Sequence, residues 1–285
     1  MKGKKILIIA IIIAALIGVY VVVLLLTKKL ESIYVKGGVG IIEVKGILSD
    51  SKDYRKDLEY LKKRKDVKAL LLYIDSPGGG VVPAQEIYYS VLKFKEEKKV
   101  PVVAYISTLG ASGAYYVAIS ADKIMAAPGS ITGSIGVIAQ YPTLHGLFEK
   151  IGIKFRIFKR GKFKDAGSPY REITDEEKKY IEDLLENIYK QFFREVALRR
   201  KLDTLNLEKW AEGKIFTGLQ AKKLGLVDTI GTYEDALMLA GKLAGIKEKP
   251  KEIRPPKKIK GFFQTFIENL ISIGIPKIEY RLSLD

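Results

Sequence analysis

Ser112 is the residue whose surroundings most suggest chemistry. It lies in TLGASGAYY (Thr108 to Tyr116), where glycine and alanine surround it and two tyrosines follow. A strand-like apolar run precedes it and a helix-like run follows, so its hydroxyl is expected at a strand-to-helix turn that a substrate backbone can reach. At a helix start, the amide of Gly113 is free to face a developing oxyanion. The pattern also suits a tight structural turn, and these residues alone leave both interpretations open.

A glycine run earlier in the chain is the second chemical feature. DSPGGG (Asp75 to Gly80) follows another strand-like run and precedes another helix start. Because the carboxyl ends of parallel strands meet at one edge of a sheet, the two turns are expected side by side. Gly79 has no Cβ, so its amide can approach an oxyanion closely, and Gly79 and Gly113 form a candidate oxyanion hole. The lysine and hydroxyl of a phosphate-binding loop are missing.

The base that would take the serine proton is not decided by the residues. His145 is the single histidine, in YPTLHGLF, and its loop-to-helix position favours a surface or packing role. Lysine is the other partner that serine nucleophiles use. A lysine base needs a pKa lowered from about 10.4 to about 7–8, which burial against apolar groups can supply. Position alone selects none of the many lysines.

Composition excludes several kinds of site. The 285 residues contain no cysteine and one histidine, so we expect no disulfide, no metal and no cofactor. More than half of the net charge of +16 comes from the ends: residues 1–29 carry five lysines and no acid, and residues 247–285 carry nine basic and five acidic side chains. Elsewhere Lys and Glu mostly alternate, as on a solvated surface. With no recognisable motif, nucleic acid is not an expected partner.

The N-terminus predicts a membrane anchor. Residues 6–26 form an uncharged apolar run of the length that crosses a bilayer as a helix, and no small-residue cleavage site follows it. We therefore interpret residues 1–29 as an uncleaved signal anchor that contacts membrane lipid. More positive charge precedes the run than follows it, which predicts a cytosolic N-terminus and an extracytosolic body in a single-pass protein of the cell membrane.

The body reads as an α/β domain with a largely parallel sheet. Five segments predict strands: IIEVKGIL, VKALLLYID, PVVAYIS, KIMAAP and IKFRIFKR (residues 153–160). Helical segments are predicted after the second and the third of these strands. From Thr174, whose spacing to Glu177 is that of a capping box, a long amphipathic helix is expected. Helical segments around residues 207–212, 219–224 and 233–244 continue this C-terminal extension.

The last part of the chain, residues 247–285, reads as a basic linker and an apolar segment at residues 262–276. The apolar segment can pack on the body or another subunit, or lie on the membrane beside anionic lipid.

The order of four motifs resembles one family. DSPGGG, GASGAYYVA, GSITGSIGV (Gly129 to Val137) and GKFKDAGSPYRE (Gly161 to Glu172) are similar to the signal peptide peptidase A family, the S49 serine peptidases. The first two motifs also look like the wider Clp protease and crotonase superfamily. The resemblance implies a Clp/crotonase-like domain over residues 30–246, here with Ala114 where many relatives have a second glycine.

The resemblance also assigns roles to residues. It implies that Ser112 is the nucleophile, that Lys164 is the general base and that Ser134 orients the lysine. It implies Gly79 and Gly113 as oxyanion donors. Single-copy relatives imply a homo-oligomer, expected as an octamer, in which serine and lysine come from neighbouring subunits. The implied function is a membrane-anchored endopeptidase with a Ser-Lys dyad that degrades cleaved signal peptides.

Three alternatives stay open. A membrane-bound Clp-like or stomatin-linked protease shares the superfamily, although GKFKDAGSP argues against it. A crotonase-type enzyme would bind coenzyme A. A catalytically inactive membrane scaffold of the same fold would not react with serine-directed reagents.

Overall fold

The computed structural model describes residues 13–24, 37–206, 209–256 and 278–281. Residues 13–24 form a helix, α1, whose side chains are exposed, and the rest of the predicted anchor lies outside the described residues. Among the described residues, no helix has both the length and the apolar character needed to cross a bilayer.

The other elements alternate along the chain. The strands are β1 (Gly38–Lys45), β2 (Val67–Ser76), β3 (Gly78–Gly80), β4 (Val102–Ala111), β5 (Lys123–Ala126), β6 (Ile131–Gly133), β7 (Ile138–Ala139), β8 (Ile215–Thr217), β9 (Thr229–Ile230), β10 (Lys251–Ile253) and β11 (Ile278–Arg281). The helices are α2 (Lys52–Lys63), α3 (Val81–Lys98), α4 (Gly113–Ala118), α5 (His145–Lys150), α6 (Asp175–Arg200), α7 (Gly218–Lys223) and α8 (Tyr233–Leu243).

A parallel sheet organises the fold, as the βαβ pattern predicts. Its order is β10-β1-β2-β4-β5-β9, and all of these neighbours pair in parallel. The last residues of β4 also pair in parallel with β6, and β8 runs antiparallel to β6. A small antiparallel sheet has the order β3-β11-β7. The predicted α/β class is confirmed.

Both faces of the parallel sheet are buried, which explains its nearly continuous apolar strands. Successive side chains of β2 point to opposite faces. Leu70, Leu72 and Ile74 pack in a cluster with residues of α2, α3 and α4, whereas Ala69 and Leu71 pack with residues of α8. This burial holds β2 and β4 side by side, so the turns that follow them lie at one edge.

The long helix α6 begins as predicted. Thr174 is its N-cap, and the reciprocal hydrogen bonds of a capping box join it to Glu177. In the C-terminal half, Phe192 and Val196 are fully buried, and the Phe192 ring lies 5.1 Å from that of Tyr116 on α4. In the N-terminal half the predicted apolar face is only half-buried, with Leu184 37% exposed. The C-terminal half of α6 thus packs against α4, whereas its N-terminal half exposes apolar side chains.

The predicted strand at residues 153–160 is wrong. The alternation of Ile153, Phe155 and Ile157 suits a strand, but no neighbouring strand pairs with this segment in the described chain. Its apolar side chains are therefore exposed, and Phe158 is 94% exposed. Of the helical segment predicted around residues 207–212, residue 209 has 3₁₀-helical backbone and residues 210–212 are not helical, while residues 207–208 lie outside the described part.

The structure also differs from the sequence interpretation at the basic linker. Within it, β10 adds to the free edge of β1, with Gly38 opposite Lys251. Pairing is possible because residues 251–253 are extended and Ile253 is buried in the core, while the prolines lie outside the strand. The apolar segment at residues 262–276 lies outside the described residues.

We predict that Phe192→Ala lowers the free energy of unfolding by about 3–5 kcal/mol, because it leaves a cavity between α6 and α4. Urea denaturation measures this. Leu198→Ala on the same helix is the control: Leu198 is 70% exposed, so a change within about 0.5 kcal/mol is expected. Equal effects of the two variants would contradict this packing.

Candidate active site

Ser112 occupies a strained turn between β4 and α4. Its φ of 54° and ψ of −122° are sparsely populated by residues with a side chain. The Ser112 amide donates to the carbonyl oxygen of Gly133 at 2.8 Å, and its own carbonyl accepts from the Tyr116 amide at 2.9 Å. The side chain is 1% exposed and its hydroxyl does not cap α4. The turn therefore fixes the hydroxyl without using it for helix capping.

The two tyrosines after Ser112 hold the turn from behind. The Tyr115 hydroxyl donates to the carbonyl oxygen of Leu226 at 2.7 Å, and complete burial raises its pKa. The Tyr116 ring packs edge-on against the Tyr88 ring, with centroids 5.0 Å apart. It also contacts the Phe192 ring. These rings are large and buried, so α4 cannot shift without disturbing the core.

The glycine turn is equally constrained. The Leu48 amide donates to the carbonyl oxygen of Gly78, and the Gly80 amide donates to that of Leu48, both at 2.8 Å. Between them, Gly79 has a φ of +154°, and a Cβ there would lie 2.4 Å from the Leu48 carbonyl oxygen. The buried Ser76 hydroxyl accepts from the Gly78 amide at 3.1 Å. Position 79 thus requires glycine.

These turns meet at one edge of the sheet, as predicted for Ser112, Gly79 and Gly113. β2 and β4 are parallel neighbours, with Ser76 opposite Gly110. Cα atoms of β3 come within 8 Å of those of α4, which begins at Gly113. The Gly113 amide is one of the first amides of α4, which lack intrahelical acceptors. The geometry suits two amides that face one oxyanion.

Ser134 is also brought to this edge. It directly follows Gly133, whose carbonyl oxygen accepts the hydrogen bond from the Ser112 amide and which pairs with Ala111 between β6 and β4. Its φ is 51°, its side chain is 7% exposed and its amide donates to the carbonyl oxygen of Lys214 at 2.7 Å. A second buried hydroxyl therefore lies one residue beyond the contact that holds the Ser112 turn.

Lys164 is not joined to these residues. It ends a turn in which its amide donates to the Gly161 carbonyl oxygen at 3.2 Å, and the residue is exposed. Within the described chain no hydrogen bond links Lys164 to Ser112 or Ser134. One copy of the chain thus brings together the candidate nucleophile and candidate oxyanion donors but leaves the predicted base apart.

His145 is the first residue of α5, where its Nε2 lies 3.4 Å from a carboxylate oxygen of Glu149 on the next turn. Its side chain is 31% exposed, and no hydrogen bond joins it to Ser112 in the described part of the chain. This placement fits the predicted surface role.

A charged cluster that the sequence analysis missed holds the Lys164 loop. Arg171 pairs with Asp165 at 2.9 Å and with Glu177 at 2.8 Å, and Lys159 also pairs with Asp165. Beside Lys164, the Phe163 ring stacks on Tyr180 of α6 at 5.0 Å. The backbone of Lys164 is therefore anchored on both sides while its side chain extends outward.

The cluster shifts the pKa values of its members. Arg171 and then Lys159 hold the pKa of Asp165 well below its usual range. Arg171 and the Thr174 amide lower the pKa of Glu177 to about 2. The signal in the sequence was the conjunction of Asp165, Arg171 and the Thr174–Glu177 capping box within thirteen residues. The sequence analysis considered the motif and the capping box separately.

In the described chain, no group of three or more acidic or histidine side chains is arranged to hold a metal ion.

Comparison with known proteins decides the family. The profile of peptidase family S49 matches residues 94–247, which include Ser112, Ser134 and Lys164. The chain belongs to peptidase family S49. A putative protease of Synechocystis sp. is 41% identical over 267 residues, covering 90% of this chain and 93% of that protein.

Two further S49 relatives carry more specific names. A putative signal peptide peptidase SppA of Enterococcus faecium is 35% identical and covers 74% of this chain. A chloroplastic serine protease SPPA of Arabidopsis thaliana is 33% identical over the same share. This chain spans 62% of the first and 32% of the second, under two thirds of each.

Among solved structures, the membrane-bound stomatin-specific protease 1510-N with a substrate peptide is similar at a TM-score of 0.48 and 15% identity. That likeness covers 83% of this chain and 99% of the other.

We predict that Glu177→Gln lowers thermal stability near neutral pH by a few degrees, and that the gap to the unmutated protein closes in acid. The pKa of Glu177 is lowered on folding from 4.5 to about 2, so its contribution is complete above pH 4.5 and is lost as pH falls towards 2. Melting temperatures from pH 7 to pH 2 measure this.

Glu176→Gln is the matched control, because the Glu176 side chain is 56% exposed and pairs with the exposed Lys162. A pH-independent gap for Glu177→Gln would show that the carboxylate is not what the cluster uses.

Proposed function

We propose that this S49 peptidase is a membrane-anchored serine endopeptidase that uses a Ser-Lys dyad to degrade released signal peptides and similar apolar peptides. The observation that carries the proposal is the Ser112 turn. A buried hydroxyl is fixed by backbone strain, is not used as a helix cap, and lies beside two glycine amides.

In the proposed reaction, the Lys164 amine takes the proton of the Ser112 hydroxyl as Ser112 Oγ attacks the substrate carbonyl carbon. The oxyanion accepts hydrogen bonds from the Gly79 and Gly113 amides. The C–N bond then breaks, Lys164 gives its proton to the leaving amine, and an acyl-enzyme remains on Ser112. Water, deprotonated through Lys164, hydrolyses the ester and restores Ser112. Ser134 accepts or donates a hydrogen bond that orients the lysine.

A neighbouring subunit completes the dyad in this proposal. A lysine base needs burial, whereas Lys164 is exposed in the single chain and has no hydrogen bond to Ser112. Near it in sequence, Ile153, Phe155 and Phe158 present exposed apolar surface, which is the kind of surface that subunit contacts cover. Packing of this segment on the next subunit of a homo-octamer would bury Lys164 and bring it to the Ser112 of that subunit.

The apolar N-terminal run, the charge bias around it and the similar proteins support the proposed substrate and location. Residues 6–26 are apolar, and α1 exposes its side chains, as an anchor in lipid would. The charge bias favours a body outside the cytosol. Apolar signal peptides are released in the membrane beside it, and one relative is named as a putative signal peptide peptidase. We therefore propose a single-pass protein of the cell membrane.

We predict that Ser112→Ala and Lys164→Ala each reduce hydrolysis of a fluorogenic signal-peptide substrate at least about 1,000-fold, because each removes a member of the dyad. His145→Ala retains activity and serves as the control. The full chain is assayed in mild detergent, with oligomer size checked by light scattering. Full activity of Lys164→Ala would exclude Lys164 as the base.

Mixed oligomers of the two inactive variants test the shared site. If each dyad joins neighbouring subunits, random mixing pairs an intact Ser112 with an intact Lys164 at about a quarter of the sites, since each occurs with a chance of one half. Co-expression should then recover about a quarter of full activity. A dyad within one chain would recover none.

We predict that Gly79→Ala reduces turnover about 100- to 1,000-fold, because its Cβ collides with Leu48 and displaces one oxyanion donor. Gly146→Ala is the matched control, since no atom lies within 4 Å of a Cβ built there. Steady-state kinetics should show that the Gly79→Ala substitution lowers kcat. A loss confined to KM would argue that this amide binds substrate without stabilising the transition state.

A further inference from the structure

The edge of the parallel sheet opposite the candidate active site is built from strand starts and helix ends. β1, β2, β4, β5 and β10 all start there, with Gly38 opposite both Val67 and Lys251. α2, α3 and α8 precede β2, β4 and β10, so these helices end at the same edge. We call this surface the basic edge, and it comprises residues 62–68, 93–99, 122–123 and 242–251.

Charge is distributed unequally between the two edges of the sheet. On the basic edge, basic side chains outnumber acidic ones by fourteen to five. At the opposite edge, the turns after β2, β4 and β5 (residues 76–80, 107–113 and 127–134) carry no charged side chain. The alternation of Lys and Glu along the chain predicted a mixed, solvated surface, whereas the fold gathers lysines at one edge.

Ion pairs neutralise several acids of the basic edge and leave a surplus of lysines. Three such pairs are Arg64–Asp66 at 2.6 Å, Lys62–Glu97 at 2.8 Å and Lys95–Asp122. The lysines that are exposed and form no ion pair with another described residue include Lys63, Lys65, Lys68, Lys99, Lys242 and Lys251. The basic edge therefore presents uncompensated positive charge.

The lysines of this edge are close enough to affect one another. Lys98 Nζ donates to the carbonyl oxygens of Lys62 and Arg64, at 3.1 and 2.7 Å, and so joins the ends of α2 and α3. Burial and then the positive charge of Lys68 lower the pKa of Lys98. Like charges that the fold holds together in this way produce a positive potential, which attracts an anionic partner.

The proposed N-terminal anchor would hold the basic edge near lipid. Gly38 starts β1 at this edge, and eleven residues separate it from Leu26, the last residue of the apolar run. Eleven extended residues reach at most about 40 Å, which is about the diameter of a domain of this size. So short a connection favours the basic edge as the side of the body that lies next to the bilayer.

We propose that the basic edge is a docking surface for a bilayer that contains anionic lipid. Lipid phosphates attract lysines that lie within about a Debye length of them, about 10 Å at 0.1 M salt. β2 separates the two edges by about 30 Å, so docking leaves the Ser112 turn open to peptides. The route by which the chain reaches the bilayer rests on the proposed anchor, whereas the charge of the edge does not.

Energy transfer in the full chain measures the docking. The chain has no cysteine, so Leu243→Cys offers a single site for a donor dye, in a cavity of about 390 Å³ that Lys99 and Lys123 also line. The labelled chain is reconstituted in phosphatidylcholine vesicles whose headgroups carry an acceptor dye. Transfer should rise when about a third of the lipid is phosphatidylglycerol. It should fall again at about 1 M salt, where the Debye length is about 3 Å.

A label at the opposite edge is the control for position. Thr108 is exposed near the carboxyl end of β4, so a dye on Thr108→Cys should show lower transfer than a dye on Leu243→Cys. Equal transfer at the two positions in anionic vesicles would contradict docking through the basic edge.

Removal of two lysines identifies the docking surface. Each lysine near an anionic surface raises the docking constant about fivefold, so Lys63→Gln with Lys65→Gln should lower it about 25-fold. Lys52→Gln with Lys56→Gln is the matched control. It removes the same charge from the other end of α2, beyond a Debye length from the basic edge, and should dock as the unmutated chain does. Equal docking constants for the two double variants would overturn the proposal.

The lipid composition separates this inference from the proposed anchor, and neither measurement uses hydrolysis. A chain that floats only with anionic vesicles, and loses this in the Lys63 and Lys65 double variant, would refute the anchor and support the docking surface. A chain that floats with both kinds of vesicle and shows equal transfer in both would refute the docking surface alone. Binding of a DNA duplex that the double variant loses, with transfer independent of lipid charge, would indicate nucleic acid and overturn the proposal.

Discussion

The hydrogen bond from the Ser112 amide to the Gly133 carbonyl oxygen is the contact on which the site depends. A residue with a side chain loses about 1–3 kcal/mol in the backbone conformation of Ser112, so the turn persists only where its surroundings enforce it. The contact extends the pairing of β4 with β6 by one residue, from Ala111 opposite Gly133. It also fixes the start of the segment that carries Ser134. One backbone contact thus positions both buried hydroxyls.

The small residues in front of Ser112 and the large ones behind it have complementary roles. In front, on the proposed function, Gly79 and Gly113 let backbone amides approach a substrate, and glycine is required at position 79 because a Cβ there would collide with Leu48. Behind, Tyr115 and Tyr116 are anchored by a hydrogen bond and by ring contacts in the core. A turn that is open on one side must be braced on the other, because strain at Ser112 would otherwise relax by movement of α4.

The sequence predicted the parts of the fold that burial dictates. β2, β4 and β5 lie between two helical layers, so their apolar runs were unambiguous. The capping box at Thr174 was predictable because it depends on neighbouring residues. Prediction failed where the formation of a strand depends on whether a neighbouring strand is available to pair with it. Residues 153–160 have the pattern of a strand without a neighbour, and β10 forms only because β1 offers an edge.

The candidate site shows the same division. The positions of Ser112 and Gly79 follow from strand order, which periodicity reveals. The ion pairs that anchor the loop of Lys164 could not be predicted. Asp165, Arg171 and Glu177 are separated in sequence, and only the folded conformation of the loop brings their charges together. Nor does any pattern indicate that β11 pairs with a glycine run some two hundred residues away.

On the proposed function, Ser112 and Lys164 are prepared in opposite ways. Ser112 is buried and strained in the single chain, whereas Lys164 is exposed on an anchored loop. A serine without its base is inert, so on the proposed function a chain that has not assembled cannot cleave its neighbours.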